Sequence, residues 1–243
     1  KNGEEKMEAF KRTKFKKKGE WLGLRQKCIG GSDAAAIVGC NPWKTSVELY
    51  YQKKGLVEKP NISNEWAVKY GNTCEPAIRT IFKADYDGIF KVTNTKEHLT
   101  RLDKPYLGAS LDGEILVLQD HDFRSYKNEH SKMHLKKGMR GVLEIKTTTA
   151  LNSMHKETWS EEIPQNYYLQ TLHYLNVTKY DFVILVALIR YEIDGNIFGH
   201  YRQYGYMASD RLIDMEYLEQ KEDIWWHDYY LKGVEPPLIL PQI

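Results

Sequence analysis

The order of apolar and polar residues predicts short strands between amphipathic helices, and two strand-like segments carry the least usual pattern. Segments 108–115 and 141–148 are short, rich in Leu, Ile, Val and Thr, and each begins at a glycine. Successive side chains of a strand point to opposite faces, so Glu144 and Lys146 should share one face while their apolar neighbours take the other. A carboxylate and an ammonium group are therefore expected side by side in a segment otherwise suited to a core.

Helix signals precede these strands. Ser32 or Asp33 should cap a short helix that stops at Gly39, and Thr45 should cap a second one, because Glu48 completes a capping box. That second helix should end at residue 55. The later periodicity predicts further helices over 163–175 and 209–231, the last capped by Ser209, and strands over 89–93, 98–102, 182–189 and 197–206.

A longer helix is predicted over 64–86, with Ser63 as its cap. Gly71 and Pro76 interrupt it, so a kink is expected near Glu75. Its buried stripe should consist of apolar residues at helical spacing: Ala67, Tyr70, Cys74, Ile78 and Ile81. The succession of helices, strands, a helix, strands and a helix predicts an α/β or α+β fold with a central sheet.

The amino-acid composition indicates a globular protein but does not identify a binding partner. An apolar fraction of 42% in 243 residues is enough for a substantial core. The net charge of +2 is nearly balanced, yet segment 11–18 is strongly basic and segment 210–228 is predominantly acidic, which predicts one basic and one acidic face. We expect a basic, poorly ordered segment or short basic helix over 1–20, with a phosphate-binding arm as the alternative, and a single domain over 21–243.

Cysteine usage and hydropathy favour a cytoplasmic protein. The three cysteines, Cys28, Cys40 and Cys74, show no Cys-X-X-Cys spacing, so neither a zinc ribbon nor a disulfide framework is predicted. No apolar segment follows the basic start, and the longest apolar run, 182–189, is too short to span a bilayer. We therefore expect no signal peptide and no membrane segment.

Candidate chemistry centres on the two strands. Asp112 could bring a second carboxylate beside Glu144, and two carboxylates with a lysine can hold a hard divalent cation next to a polarised water. A surface ion pair is the simpler interpretation of Glu-X-Lys alone. Glu75 could point into the same site or pair with Arg79 one turn later.

A second candidate lies near the amino terminus. Free amides after the paired glycines 30–31, with Arg25 nearby, could bind an anion such as phosphate, and an ordinary capped helix is equally consistent. Segment 120–140 is polar and net basic, and it is expected to be an insertion or long hairpin loop. His130 and His134 have helical zinc spacing, but no carboxylate or cysteine is placed to complete such a site.

Taken together, the motifs resemble one family. Arg25 with 'IGGSDAAAIVG', 'NPWKT', 'ELYYQKKG', 'GNTCEPAIRTIF', 'ASLDGEI', 'LEIKTTT' and 'IPQNYYLQTLHYL' follow the order seen in YqaJ-type viral recombinases. These are relatives of phage lambda exonuclease within the restriction-endonuclease-like (PD-(D/E)XK) nucleases. The resemblance covers about 21–177 and implies a restriction-endonuclease-like core, a central mixed β-sheet flanked by helices.

The resemblance also implies an activity and partners. It implies Mg²⁺-dependent, processive 5′-to-3′ degradation of one strand of linear double-stranded DNA, with Mn²⁺ as a substitute, leaving 3′ tails for single-strand annealing. We further expect a homo-oligomer, a trimeric ring threaded by DNA, and a RecT/Bet-like single-strand annealing protein as partner. The protein is expected to be a phage or prophage protein in the bacterial cytoplasm.

Site residues follow by position from the same resemblance. Asp112, Glu144 and the Ile145 carbonyl resemble the metal ligands, and Lys146 the residue that orients or deprotonates the attacking water. Glu75 resembles a glutamate that reaches a second metal or its water. Gln170 resembles a glutamine beside the nucleophile, and the residues that match a 5′-phosphate pocket are Arg25, Ser32 and Ser110. Leu111 stands where the family often has proline.

Alternative functions remain open at this point. A restriction-type endonuclease would cut closed circular DNA, and a Cas4-like nuclease would need an iron–sulfur cluster, which three scattered cysteines do not favour. A DNA-end-binding module without catalysis would bind ends without metal-dependent cleavage.

Overall fold

The computed structural model describes residues 8–94, 96–126, 132–149, 159 and 163–240. The strands are β1 (Phe10–Lys14), β2 (Ile29–Gly30), β3 (Phe90–Thr93), β4 (Glu97–Arg101), β5 (Leu107–Ala109), β6 (Gly113–Val117), β7 (His121–Arg124), β8 (Lys132–Leu135), β9 (Arg140–Thr149), β10 (Phe182–Ile193) and β11 (Asn196–Met207). The helices are α1 (Lys18–Gln26), α2 (Gly31–Ile37), α3 (Ser46–Lys54), α4 (Trp66–Asp85), α5 (Gln165–Thr178) and α6 (Leu212–Ile224).

A five-stranded mixed sheet forms the centre of the fold, in the order β11-β10-β9-β6-β3. The β9 and β10 strands run parallel and the other neighbours antiparallel. On one face Leu143 and Ile145 pack with Ile78 and Phe82 of α4, and on the other face Glu144 meets α5. The alternation predicted for β9 and the mixed α/β class are therefore confirmed.

A second sheet of four strands, β1-β4-β5-β2, lies beside the first. The apolar faces of α2, α3, α5 and α6 share one buried cluster with its strands. Each large aliphatic side chain buried in this way stabilises the fold by about 1.5–3 kcal/mol relative to exposure. Because α5 contributes to this cluster and also contacts the central sheet, the amino-terminal third of the chain packs close to that sheet.

The expectation for the basic amino-terminal segment was wrong where the structure describes it. Residues 10–14 form β1, an edge strand paired antiparallel with β4. Phe10 is buried, and Arg12 binds Glu97 and Glu114 through charged hydrogen bonds. This amino-terminal segment therefore buries one apolar side chain, and carboxylates from distant parts of the chain pair with one of its charges.

Several helix ends are as predicted. The Thr45 side chain and Glu48 form the capping box of α3, and Gly55 adopts φ 70° at its end. Gly39 likewise has φ 76°, two residues after the last residue of α2. Such positive φ values suit glycine, which lacks the Cβ that penalises them.

Three predicted caps were wrong, and the predicted buried stripe was only partly right. Gly30, and neither Ser32 nor Asp33, is the N-cap of α2, although Asp33 Oδ2 accepts a hydrogen bond from the Gly30 N–H at 3.1 Å. Glu65, not Ser63, precedes α4, which continues through Pro76. The buried residues of α4 are Ile78, Arg79 and Phe82, whereas Ile81 is 49% exposed. At the carboxyl end, residues 208–211 form a 3₁₀ turn before α6, and a π-helical turn (Trp225–Leu231) continues it, so Ser209 is not the cap.

The basic segment 120–140 contains a packed hairpin. The β7 and β8 strands pair antiparallel, and Phe123, Met133 and Leu135 are buried in the cluster that contains α4. His134 contacts Asp122 at 2.7 Å, while His130 lies outside the described residues. No helix in the described ranges is long and apolar enough to cross a membrane.

Candidate active site

A cleft of about 350 Å³ lies where α1, α2, α4 and α5 meet the β9 strand. All nine residues assigned to the site by resemblance line it: Arg25, Ser32, Glu75, Ser110, Asp112, Glu144, Ile145, Lys146 and Gln170. Residues from five different elements and from a bend are thus brought together, which gives the predicted set a common location.

A bend between two sheets places Ser110 and Asp112. Segment 108–115, expected as one strand, is in fact β5 of the smaller sheet and β6 of the central sheet, joined at 110–112. Gly113 pairs with Leu143, which sets Asp112 beside the middle of β9. The Ile145 N–H donates to Asp112 Oδ2 at 2.8 Å. The chain changes sheets at this point, so both polar side chains face the cleft.

Glu144 is the most strongly constrained carboxylate of the site. Only 2% of its surface is exposed. The Lys146 ammonium lies 2.6 Å from Glu144 Oε1, and Gln170 Nε2 donates to the same oxygen at 2.7 Å and to the Tyr174 hydroxyl at 2.8 Å. Gln170 therefore fixes the side chain of Glu144 from the opposing helix.

The electrostatics of the carboxylates are unusual. Burial and then the charge of Glu144 raise the pKa of Asp112 well above its usual range. Burial also raises the pKa of Glu144, although Lys146 acts against it. Burial lowers the pKa of Lys146, but the charges of Glu144 and Asp112 outweigh it and leave that pKa raised. The ammonium form is thus the one that this arrangement favours.

One carboxylate oxygen of the site has no hydrogen-bond partner among the described residues. Glu144 Oε2 is buried and accepts no hydrogen bond from the residues that the structure describes. An unpaired buried carboxylate oxygen is costly, because it loses hydration without a replacement. Glu75, which also faces the cleft, forms an ion pair with Arg79, and Arg79 Nε donates to the Asp112 carbonyl at 2.8 Å. Both of the alternatives that the sequence offered for Glu75 are therefore observed together.

The opposite end of the cleft is cationic. The Arg25 guanidinium lies 4.7 Å from the Trp21 ring and donates to the Ser32 hydroxyl. Trp21 Nε1 donates to Ser110 Oγ at 2.9 Å, and His98 Nδ1 lies 3.1 Å from the same oxygen. Arg25, Ser32 and Ser110 are therefore joined at one end of the cleft, through Trp21.

Sequence reasoning missed several side chains of this network. Trp21, His98 and Tyr174 carry no motif that distinguishes them from core aromatics. Burial lowers the pKa of His98 to about 4, with Arg25 contributing further. Gly31 offered a usable signal: a Cβ there would lie 2.5 Å from Tyr174 Cε1, so the second glycine of the pair permits the close approach of α5.

An ion pair beneath Arg25 supports this end of the cleft. The Lys53 ammonium, almost completely buried, lies 2.7 Å from Asp33 Oδ2 and donates to the Arg25 and Cys28 carbonyls at 2.7 and 2.5 Å. Lys44 reaches the other Asp33 oxygen at 3.2 Å. Asp33 is thus a structural anchor as well as a helix-start residue.

Comparison with known proteins agrees with this architecture. A family model for the YqaJ-like viral recombinase domain matches residues 20–181. The uncharacterized protein YqaJ of Bacillus subtilis (strain 168) is 32% identical over 219 residues, which make up 90% of this chain. The chain spans 58% of the length of that relative.

Solved structures give the same picture of the fold. LHK-Exo in complex with dAMP is similar with a TM-score of 0.57 and 18% identity, covering 88% of this chain and 93% of that one. The alkaline exonuclease LHK-Exo from Laribacter hongkongensis gives a TM-score of 0.55 at 18% identity, over 88% of this chain and 96% of that one. At this identity the likeness establishes a common fold. With the family model matching well over half of its length, the chain belongs to the YqaJ-like viral recombinase family.

Proposed function

We propose that this protein is a metal-dependent exonuclease that degrades one strand of linear double-stranded DNA from the 5′ end and leaves 3′ single-stranded tails. The observation that carries the proposal is one cleft with Asp112, Glu144 and Lys146 at its centre and a guanidinium with two hydroxyls at one end. The structural neighbour LHK-Exo was solved with dAMP, a nucleotide. A nucleotide product would fit the reaction proposed for this chain.

The donor set fits a hard divalent cation. Asp112, Glu144 and the Ile145 carbonyl offer only oxygen, which suits Mg²⁺ and accommodates Mn²⁺. Among the described residues no group of three His, Cys, Asp or Glu side chains forms a metal cluster, and in the proposed set the Ile145 carbonyl joins the two carboxylates. The unpaired Glu144 Oε2 supports this assignment, since a cation would satisfy it. When bound, the ion would offset charge on the phosphodiester and acidify water.

The chain's own residues would hold the reacting groups. Lys146, hydrogen-bonded to Glu144, is proposed to orient the attacking water as an ammonium group, or to take its proton once a bound cation has lowered the pKa of the lysine. Gln170 holds Glu144 in place, and Glu75 is proposed to bind a second ion or its water after leaving Arg79. The guanidinium of Arg25 and the hydroxyls of Ser32 and Ser110 are proposed to bind the terminal 5′ phosphate, because charged donors bind phosphate strongly.

Nucleotide release from linear duplexes tests the proposal directly. Lys146→Ala and Glu144→Gln are expected to lose at least about 100-fold in rate, the lower end of general acid–base contributions. Lys232→Ala, at an exposed lysine far along the chain, is the matched control. EDTA should stop release, Mg²⁺ or Mn²⁺ should restore it, and a label on the 5′ terminus should be released before one on the 3′ terminus.

Three results would reject this function. Unchanged activity in both site variants, with folding confirmed by circular dichroism, would remove the site. Efficient cutting of closed circular DNA would favour an endonuclease instead. Tight binding of DNA ends without any metal-dependent release would leave a binding module.

The expected partners follow from the product. A 3′ tail is the substrate of a RecT/Bet-like single-strand annealing protein, and we propose such a protein as partner and a trimeric ring as the assembly. Sedimentation of the protein alone gives the assembly, and a retained tail-dependent complex with an annealing protein gives the partnership. A monomer at micromolar concentration would contradict the ring.

A further inference from the structure

An aromatic pair stands at the start of α4, outside the groups that the proposed reaction uses. The Trp66 and Tyr70 rings are stacked, with centroids 4.9 Å apart and an interplanar angle of 17°. They lie one helical turn apart, where side chains of a helix are neighbours. Trp66 is nevertheless 54% exposed, so about half of its surface remains accessible to a ligand.

A guanidinium accompanies this pair. Arg190 of β10 has its Cζ 5.1 Å from the Trp66 ring, and its own side chain is largely buried. Its carboxylate neighbour is Glu192, at 3.8 Å, near the limit of an ion pair. A cation against an aromatic face at this distance is an attractive contact. Arg190 thereby steadies the ring and adds positive charge beside it.

The pair is continuous with the cleft. Trp66 precedes Glu75 by nine residues, about 14 Å along a helix, and Arg190 pairs with Thr149, three residues or about 10 Å beyond Lys146. Midway, a Cβ on Gly71 would lie 3.0 Å from Thr147 Oγ1. The α4 helix and β9 strand therefore run together from the carboxylates to the aromatic pair.

This distance suits a polynucleotide. At about 3.4 Å per nucleotide in a stacked strand, the aromatic pair lies three to four nucleotides from the carboxylates. Val68, Gly71 and Asn72 of the intervening helix line the cleft itself. A strand that leaves the cleft along α4 would meet an exposed indole backed by a cation.

We propose that Trp66, supported by Tyr70 and Arg190, is a stacking platform for an unpaired base of DNA. The inference deepens the proposed function, because it names where the strand continues beyond the cleft. Every base presents a π-face, so an aromatic platform binds single strands without sequence preference. The exposed ring, its rigid support and its position on the helix of Glu75 all agree with this occupant.

Binding of a fluorescent single-stranded oligothymidylate in EDTA tests the platform without any catalysis. Trp66→Leu keeps apolar bulk but removes the π-face, and it is expected to weaken binding about 5- to 150-fold, the range for losing one stacked base. Trp66→Phe should restore most of the affinity. Tyr217→Ala, which removes a 53% exposed aromatic from α6, is the matched control and should change affinity less than twofold.

The outcomes separate the platform from the nuclease. Equal affinity of Trp66→Leu and the unaltered protein, or equal losses in Trp66→Leu and Tyr217→Ala, overturns the platform. Hydrolysis of bis(p-nitrophenyl) phosphate with Mn²⁺ is measured in parallel and should be unchanged in Trp66→Leu. If this small substrate and linear DNA both resist the unaltered protein while oligothymidylate binding still depends on Trp66, the proposed nuclease fails and the platform stands. If Trp66→Leu loses small-substrate hydrolysis and thermal stability together, Trp66 is a structural residue and the platform is rejected.

Discussion

Replacing Lys53 by methionine should destabilise the fold more than any other single lysine change near the cleft. The ammonium is buried and satisfies Asp33 Oδ2 and two main-chain carbonyls. Removing one partner of a buried ion pair costs about 3–5 kcal/mol, since the other charge stays buried without compensation. Lys44 remains 3.2 Å from the second Asp33 oxygen, so the lower part of this range applies, about 3–4 kcal/mol.

Thermal unfolding measures this cost. For a chain of this size a loss of 1 kcal/mol lowers Tm by about 2–4 °C, so Lys53→Met is expected to lower Tm by about 6–16 °C. Lys27→Met, at an exposed lysine two residues after Arg25, is the matched control, and its Tm should stay within about 2 °C of that of the unaltered protein.

A double-variant cycle identifies the cause. Asp33→Asn combined with Lys53→Met should be less destabilised than the sum of the two single variants, because the second change removes the charge that the first one left unpaired. A Tm of Lys53→Met within 2 °C of the unaltered protein would refute the reasoning. Strictly additive losses would also refute it, since they would show that the two side chains do not stabilise each other.

The other predictions concern pH and one close contact. Burial by itself would raise the pKa of Asp33, but the charges of Lys53, Lys44 and Arg25 hold that pKa below its usual range. The ionised carboxylate therefore contributes its full stabilisation above about pH 4, and this stabilisation is lost as pH falls through the pKa of the folded state. Denaturant midpoints between pH 6 and 3 should therefore fall less steeply for Asp33→Asn than for the unaltered protein. Burial lowers the pKa of His173, but the Glu222 carboxylate outweighs it and raises that pKa, so this stability is full below about pH 6.5 and is lost as pH rises through the folded value. Glu222→Gln should reduce the loss measured from pH 6 to 10. Gly31→Ala should lower Tm and weaken DNA hydrolysis, because its Cβ would meet the Tyr174 ring; full activity with an unchanged Tm would contradict this contact.

Helix ends and strand alternation were predictable from the sequence, because residues close together in the chain determine them. The capping box at Thr45 and the left-handed glycine that ends α3 involve residues within one or two turns, and both occur as expected. The alternation along β9 was also predictable, because one face had to be apolar to pack against a helix. Glu144 and Lys146 are therefore the part of the site best determined by sequence.

Features that depend on distant pairing were not predictable in this way. Both Ile81 and Phe82 are apolar, and the helical period permits either as the buried residue; the position of the central sheet selects Phe82. The break at 110–112 likewise follows from β5 and β6 joining different sheets. The segment 'GASLDGEI' contains no residue pattern that distinguishes two strands joined by a bend from one continuous strand.

The charge distribution of the cleft explains why this bend matters. Had 108–115 remained one strand, Ser110 and Asp112 would have pointed to one face of one sheet, and the cationic and acidic ends of the cleft could not have been linked through it. Across the bend, Ser110 joins the Trp21–Arg25 network while Asp112 accepts from Ile145 and joins Glu144. Arg79 and Lys146 only partly offset the three carboxylates at that end, which is why burial and mutual repulsion raise the pKa of Asp112. Because these carboxylates lie next to the end where we propose that phosphate binds, their ionised forms would repel a phosphodiester held by Arg25 unless a cation lay between them. This electrostatic argument supports the metal dependence that we propose.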